Sequence, residues 1–267
     1  MIAAATRVAA DSRSRARRVC TCMRTPAWWV LALLLSACGH APPRSILPAA
    51  APTVPQRSPA RDADEAGMVE LRSLVPDLAY DIRYAGSRNF TGRPVAGYLA
   101  PRCYLLRPVA EALQRVEASL REQGLSLLIY DCYRPMQAVA DFVAWAGDPG
   151  EQSTKAAYYP NLDKRELLGD YIAPTSGHSR GATLDLTLQR CDAGRRCAPL
   201  DMGTSYDYFD PSAHTDWPGA TPQQRANRQR LLQAMAREGF ANYPLEWWHY
   251  TYKPEPTPDT AYDFPLR

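Results

Sequence analysis

Between Thr183 and Leu188 apolar and polar residues alternate, placing Leu184, Leu186 and Leu188 on one face and Thr183, Asp185 and Thr187 on the other. That is the period of a strand with one polar side. The residues just before it, Ser176-Gly-His-Ser-Arg-Gly181, read as a loop, because glycine admits backbone angles other residues resist and serine favours local turns. Elsewhere the period changes. Arg107 to Gln123 predicts a helix, with Val109, Leu113, Val116 and Leu120 on one face and Gly124 ending it. Leu125 to Asp131 is continuously apolar and predicts a strand covered on both sides. Pro135 opens a second helix with Val139, Phe142, Val143 and Ala146 as its buried stripe. Thr221-Pro-Gln-Gln224 is a capping box and opens a third helix, which Gly239 ends. There Leu231, Leu232, Met235 and Ala236 are expected to face the core, with Arg225, Arg228 and Arg230 on a solvated face. Val69 to Leu71 and Ala79 to Arg83 read as short strands, and Glu246 to Tyr252 as an aromatic, strand-like segment.

The N-terminal quarter follows neither period. Arg13, Arg15, Arg17, Arg18 and Arg24 precede the apolar run Trp28 to Leu35, which is too short to span a bilayer and has the form of a secretory signal over residues 1–37. It ends in Leu35-Ser-Ala-Cys38, which resembles a bacterial lipobox and implies cleavage before Cys38 and lipidation of its thiol; a plain secreted protein cut elsewhere is the alternative. The start is Met1 or Met23, since Met23-Arg-Thr before the apolar run is itself a compact signal. Gly39 in place of a retention-type Asp favours the outer membrane over the inner, with a periplasmic address. Residues 38–68 are rich in Pro and Ala and poor in large apolar side chains, the composition of a tether. Residues 69–267 are the size of one domain.

Removing the signal changes the charge. Six of the 31 basic residues and one of the 28 acidic residues lie in residues 1–37, so the overall +3 becomes −2. No basic patch remains to suggest nucleic acid. Cys20 and Cys22 leave with the signal and Cys38 is the lipidation site, so four cysteines remain. Four allow three pairings. Cys191 and Cys197 flank a short loop and are expected to pair, leaving Cys103 with Cys132, as suits an oxidising compartment. A four-thiolate zinc is the weaker alternative, because no Cys-x-x-Cys is present.

Candidate chemistry centres on His178 and Asp185, one loop apart, which by themselves could bind a metal, share a proton or mark a solvated turn. His249 lies in Leu245-Glu-Trp-Trp-His-Tyr250. Two histidines and a carboxylate form a recurrent ligand set for a catalytic zinc with an open fourth position, and Glu246 would then be the spare carboxylate that moves a proton. Residues three apart on an ideal strand point to opposite faces, so Glu246 is expected at the irregular start of its strand. Trp247 and Trp248 wall the site or pack the core, and His214 is expected to be supporting or structural.

Ser176-x-His178-x-x-Gly181-x-x-x-Asp185, Glu246-Trp-Trp-His249 and Asp131-Cys-Tyr-Arg-Pro135 together resemble the D-alanyl-D-alanine dipeptidase family of zinc peptidases. Asn89-Phe-Thr-Gly92, Tyr158-Tyr-Pro-Asn161, Met202-Gly-Thr204 with Tyr206-Asp207, and Asp263-Phe-Pro265 extend the likeness from about Asp77 to the C terminus. The resemblance implies a single α+β domain with a central, mainly antiparallel sheet flanked by helices, the fold of these dipeptidases and of the related D,D-carboxypeptidases. It implies one Zn2+ per chain on His178, Asp185 and His249, Glu246 as base and acid, and Arg134 stabilising the oxyanion. Asp207 would receive the free ammonium of a D,D-dipeptide, and Ser176 would assist as an acceptor or hold its loop. The expected reaction is hydrolysis of D-alanyl-D-alanine to two D-alanines in cell-wall peptide turnover. A D,D-carboxypeptidase acting on longer wall peptides and a non-catalytic, zinc-containing binder of wall fragments are the alternatives. Oligomeric state is not legible.

Overall fold

The computed structural model describes residues 54–192, 194 and 196–267. The expected signal, Cys38 and the first part of the expected tether lie outside the described residues.

In chain order the elements are β1 (Gln56–Arg57), β2 (Met68–Glu70), β3 (Ala79–Tyr80), β4 (Tyr104–Leu106), α1 (Arg107–Arg121), β5 (Leu125–Asp131), α2 (Met136–Gly147), α3 (Lys155–Tyr158), β6 (Thr183–Cys191), β7 (Cys197–Pro199), α4 (Pro222–Arg237), β8 (Phe240–Asn242), β9 (His249–Tyr252) and β10 (Thr260–Ala261). The main sheet runs β3-β5-β6-β9-β8, with β7 added against β6. Its pairs are antiparallel except β3 with β5. This is an α+β architecture with a mainly antiparallel sheet.

The helices form for the reasons their patterns predict. In α1 the stripe Val109, Leu113, Val116 and Leu120 is fully buried. Glu117 on the same helix is buried too, because its carboxylate accepts from Ser126 Oγ at 2.7 Å and from the Leu127 N–H at 2.8 Å, clamping α1 to β5. A buried carboxylate so supplied with donors escapes the penalty of an unpaired charge. At α4, Thr221 and Gln224 exchange their capping hydrogen bonds.

Several expectations need correction. Arg228 is 1% exposed rather than on a solvated face. It stands at i−3 and i−7 from Leu231 and Met235, hence on the stripe that faces the core. Its guanidinium donates to the carbonyls of Met202, His214 and Ser212 at 2.7, 2.6 and 2.9 Å. Ala236, one step past Met235, is carried round to solvent, and Val143 is only half-buried. The strand expected over Ala79 to Arg83 is confined to Ala79–Tyr80. The ordered fold also starts before residue 69: Gln56–Arg57 pair with Thr260–Ala261, Arg57 meets Asp263 at 2.8 Å, and Ala66 and Met68 are buried. A short strand needs only backbone partners, so Pro/Ala-rich composition hid it.

Two pairs of cysteine sulfurs lie at bonding distance. The sulfurs of Cys103 and Cys132 lie 1.95 Å apart and those of Cys191 and Cys197 lie 2.00 Å apart, the latter across the β6–β7 hairpin.

Replacing Arg228 by Met keeps the stem but strands three carbonyls, so urea unfolding of Arg228→Met is expected to show a loss on the order of 3 kcal/mol. An unchanged midpoint and slope would mean that these hydrogen bonds contribute nothing net.

Candidate metal centre and active site

Strand register places the first groups. Asp185 on β6 stands opposite His249 on β9 and opposite Asp131 at the end of β5. One row across three strands therefore carries an acid, an acid and a histidine. The polar face of β6 is covered: Thr183, Asp185 and Thr187 are all buried. Tyr206 covers Asp185, donating to its Oδ2 at 3.0 Å.

His178 arrives from the loop before β6. Gly177–Arg180 forms one tight helical turn, with Ser176 Oγ accepting from the His178 N–H at 3.2 Å and Gly181 closing the turn at φ +71°. A side chain at Gly181 would be strained by that angle and would meet Met68 Cε at 2.5 Å. His178 Nδ1 donates to the Cys132 carbonyl at 2.7 Å. That bond fixes the tautomer and turns the Nε2 lone pair inward.

Three acceptor atoms then converge. Asp185 Oδ1 lies 3.1 Å from His249 Nδ1 and 3.4 Å from His178 Nε2, and the two ring nitrogens are 3.4 Å apart. Oδ1 is buried and accepts no hydrogen bond. Nitrogen and oxygen ligands about 2.0–2.1 Å from a tetrahedral ion stand roughly 3.3 Å from one another, so these residues fit a metal. Glu246 comes from the turn before β9, as the Trp247-Trp248 bend requires, and brings Oε2 to 3.4 Å from His249 Nδ1.

Arg134 follows β5. Its guanidinium is held by Asp131 Oδ2 at 2.9 Å, approaches Asp185 Oδ2 at 3.5 Å and lies over the Phe142 ring at 5.1 Å. Asp131, which also accepts from Tyr98 at 2.8 Å, is a positioning group that the sequence reading passed over. The Asp131-x-x-Arg134 spacing at a strand end was the available signal. Asp207 is buried with φ 60° and accepts from Tyr84 at 2.9 Å. Arg134, Ser176, Asp185, Asp207, Glu246 and His249 line one cavity of about 280 Å³, small among ligand pockets. Tyr171, Tyr243 and Trp248 also wall it, whereas Trp247 is fully buried and donates to Thr204. His214 lies outside the ligand cluster and meets Tyr171 Oη at 3.2 Å.

Charge in this cavity is tightly constrained. Burial, followed by the charge of Asp185, pushes Asp207 up to about 8, and the same two causes hold Glu246 well above the usual carboxylate range. Burial would raise Asp185 as well, but His178 and His249 outweigh it and hold its carboxyl below the usual range. Burial lowers His249, which favours the neutral imidazole that a metal needs. For Arg134, burial opposes the charge, yet Asp131 and the nearby phenols keep the guanidinium protonated.

Replacing His178, Asp185 or His249 by Ala should weaken zinc binding by at least about a hundredfold, above the 10–100-fold range for groups that merely support ligands; chelator competition measures it. In metal-free protein the unfolded chain releases the Asp207 proton near 3.8, whereas the native state keeps it to about 8. Between those values the native state binds more protons, so stability falls as pH rises. Thermal midpoints should decline across that window, and Asp207→Asn should flatten the decline.

Residues 64–267 match the family described as D-ala-D-ala dipeptidase, within the M15 peptidases. A D-alanyl-D-alanine dipeptidase of Streptomyces coelicolor is 44% identical over 194 residues, covering 72% of this chain and 95% of its own. One from Enterococcus faecium is 40% identical over 204 residues, covering 76% and 100%. One from Escherichia coli is 33% identical over 188 residues, covering 70% and 86%. A solved vancomycin-resistance D,D-pentapeptidase in complex with Zn(II) matches more loosely, at 16% identity and a TM-score of 0.35 over 58% of this chain and 76% of its own. With the metal-ligand geometry in place and the match running from residue 64 to the C terminus, the chain belongs to the D-Ala-D-Ala dipeptidase family of metallopeptidases.

Proposed function

We propose that this chain hydrolyses D-alanyl-D-alanine to two D-alanines at a single zinc held by His178, Asp185 and His249. The observation that carries the reading is the inward-facing trio His178 Nε2, Asp185 Oδ1 and His249 Nδ1, with a fourth acceptor, Glu246 Oε2, alongside. Its relatives carry the name D-alanyl-D-alanine dipeptidase. Two imidazoles and one carboxylate suit zinc and leave a position open. Zinc bound there supplies Lewis acidity, acidifying water and polarising the scissile carbonyl.

The chain's own groups do the rest. Glu246 takes a proton from the attacking water and returns it to the leaving amine as the C–N bond breaks, so it acts as base and then acid. Its environment favours holding that proton in between. Arg134, anchored by Asp131, donates to the oxygen that becomes negative. Asp207 receives the substrate's free ammonium. A buried carboxylate rewards a free amine and is left unpaired by an acylated one, so the small cavity and Asp207 together select a dipeptide over a longer wall peptide. Ser176 caps the His178 turn and borders the cavity, so loop support and acceptance from the substrate are compatible roles.

The same reading places the enzyme in the periplasm, on a lipid carried by Cys38, in cell-wall peptide turnover. The apolar run before Cys38 supports this address, as do the Cys103–Cys132 and Cys191–Cys197 pairs, which we read as disulfides.

Purified zinc-loaded protein should free D-Ala from D-Ala-D-Ala but not from its N-acetyl form or a muramyl pentapeptide. Release chiefly from the pentapeptide would make it a D,D-carboxypeptidase, and release from none would leave a binder. Arg134→Ala should lower turnover by about a hundredfold, as the loss of an oxyanion donor does.

A further inference from the structure

Tyr206 is 2% exposed, and its ring is stacked on Tyr130 at 4.5 Å and edge-on to Trp248 at 5.6 Å. A phenylalanine would make those contacts equally well. What the tyrosine adds is one buried oxygen, and a buried hydroxyl is costly unless its hydrogen bonds are met. Here one neighbour is the metal-ligand carboxylate and the other leads to Asp207. Its Oη lies 3.0 Å from Asp185 Oδ2 on one side and 2.9 Å from Tyr84 Oη on the other, and Tyr84 in turn reaches Asp207 Oδ2 at 2.9 Å. A continuous line Asp185–Tyr206–Tyr84–Asp207 therefore joins the metal-ligand carboxylate to the carboxylate assigned to the substrate amine.

The number of protons on this line fixes its direction. Ionised Asp185 only accepts, so Tyr206 spends its single proton there. That orients Asp185, leaving Oδ1 free for the ion. Tyr84 also has one proton, and Tyr206 and Asp207, the latter in the ionised form that receives an ammonium, compete for it. An ammonium arriving at Asp207 neutralises that carboxylate and weakens its claim. The Tyr84 proton is then available to Tyr206, and a hydroxyl that accepts a hydrogen bond becomes a stronger donor. The bond to Asp185 tightens as the amine binds.

We propose that Tyr206 is a positioning residue that holds the metal-ligand carboxylate Asp185 and, through Tyr84, links it to the amine subsite at Asp207, so that metal and a free dipeptide amine favour each other's binding. The metal half stands on geometry alone, and the amine half rests on the reading of Asp207 given above.

The test uses the full chain with Tyr206→Phe and Tyr84→Phe. Zinc affinity is measured by chelator competition without dipeptide, and KM and kcat for D-Ala-D-Ala at saturating zinc. Tyr206→Phe should weaken zinc about tenfold or more, the range for loss of a group supporting a metal ligand, and should also raise KM with zinc saturating. Tyr84→Phe should raise KM while leaving zinc affinity within about twofold, a smaller change than any lost ligand support gives. Zinc affinity unchanged in Tyr206→Phe overturns the proposal, and so does a weakened zinc site with KM unmoved, which would break the link to Asp207. The thermal midpoint of each metal-free variant shows whether it is folded. Should Tyr206→Phe not fold, Tyr84→Phe decides: zinc affinity lowered tenfold with KM unmoved overturns the link. Failure of the wild type to cleave D-Ala-D-Ala refutes the functional reading, and the zinc titrations stand apart from it.

Discussion

The register between β6 and its two neighbours is the constraint on which the site depends. Asp185 meets His249 across one ladder and Asp131 across the other. Sliding β6 by one residue against β9 would turn Asp185 to the opposite face and bring Leu184 or Leu186 into its place. The leucines prevent this, because all three are fully buried on their own side and a slip would expose them to the polar cavity. Hydrophobic burial on one face thus fixes ligand positions on the other. The bulge in β5 between Ile129 and Asp131 then ends regular pairing where Arg134 must leave the strand.

Electrostatics complete what register begins. Asp131, Asp185, Asp207 and Glu246 are all buried, with Arg134 as the guanidinium that lines their cavity. Burial raises Asp131, Asp207 and Glu246, while the two histidines lower Asp185. A pocket of this kind holds protons when no cation is present and gives them up when one enters. Its affinity for a divalent ion and its protonation state are one balance seen from two sides.

Much of this was legible in the sequence, and the rest was hidden for physical reasons. The α1 stripe and the apolar run of β5 could be read because period and burial are tightly linked. His178 and His249 could be singled out because histidines are only four, and Asp185 and Glu246 because each shares a short motif with one of them, while the structure explains the awkward Glu246 spacing by a bend at Trp247-Trp248. Arg228 was misplaced because its residue type was weighed above its position on the helix. Tyr84 and Tyr206 acquired no role because a phenol's partner is set by the fold: Tyr84 and Asp207 lie 123 residues apart. The strand at Gln56–Arg57 left no mark in side-chain composition, since its pairing with β10 is made by the backbone.

Arg228 has one more consequence. The stretch from Met202 to His214 that presents Tyr206 and Asp207 has only one short turn of helix, at Pro211–Ala213, and its rigidity is borrowed from a guanidinium mounted on α4. The inner face of that helix is in effect a jig for the amine end of the cavity. Variation along α4, well away from any reacting atom, would alter which ligands the enzyme accepts before it altered how fast bonds break.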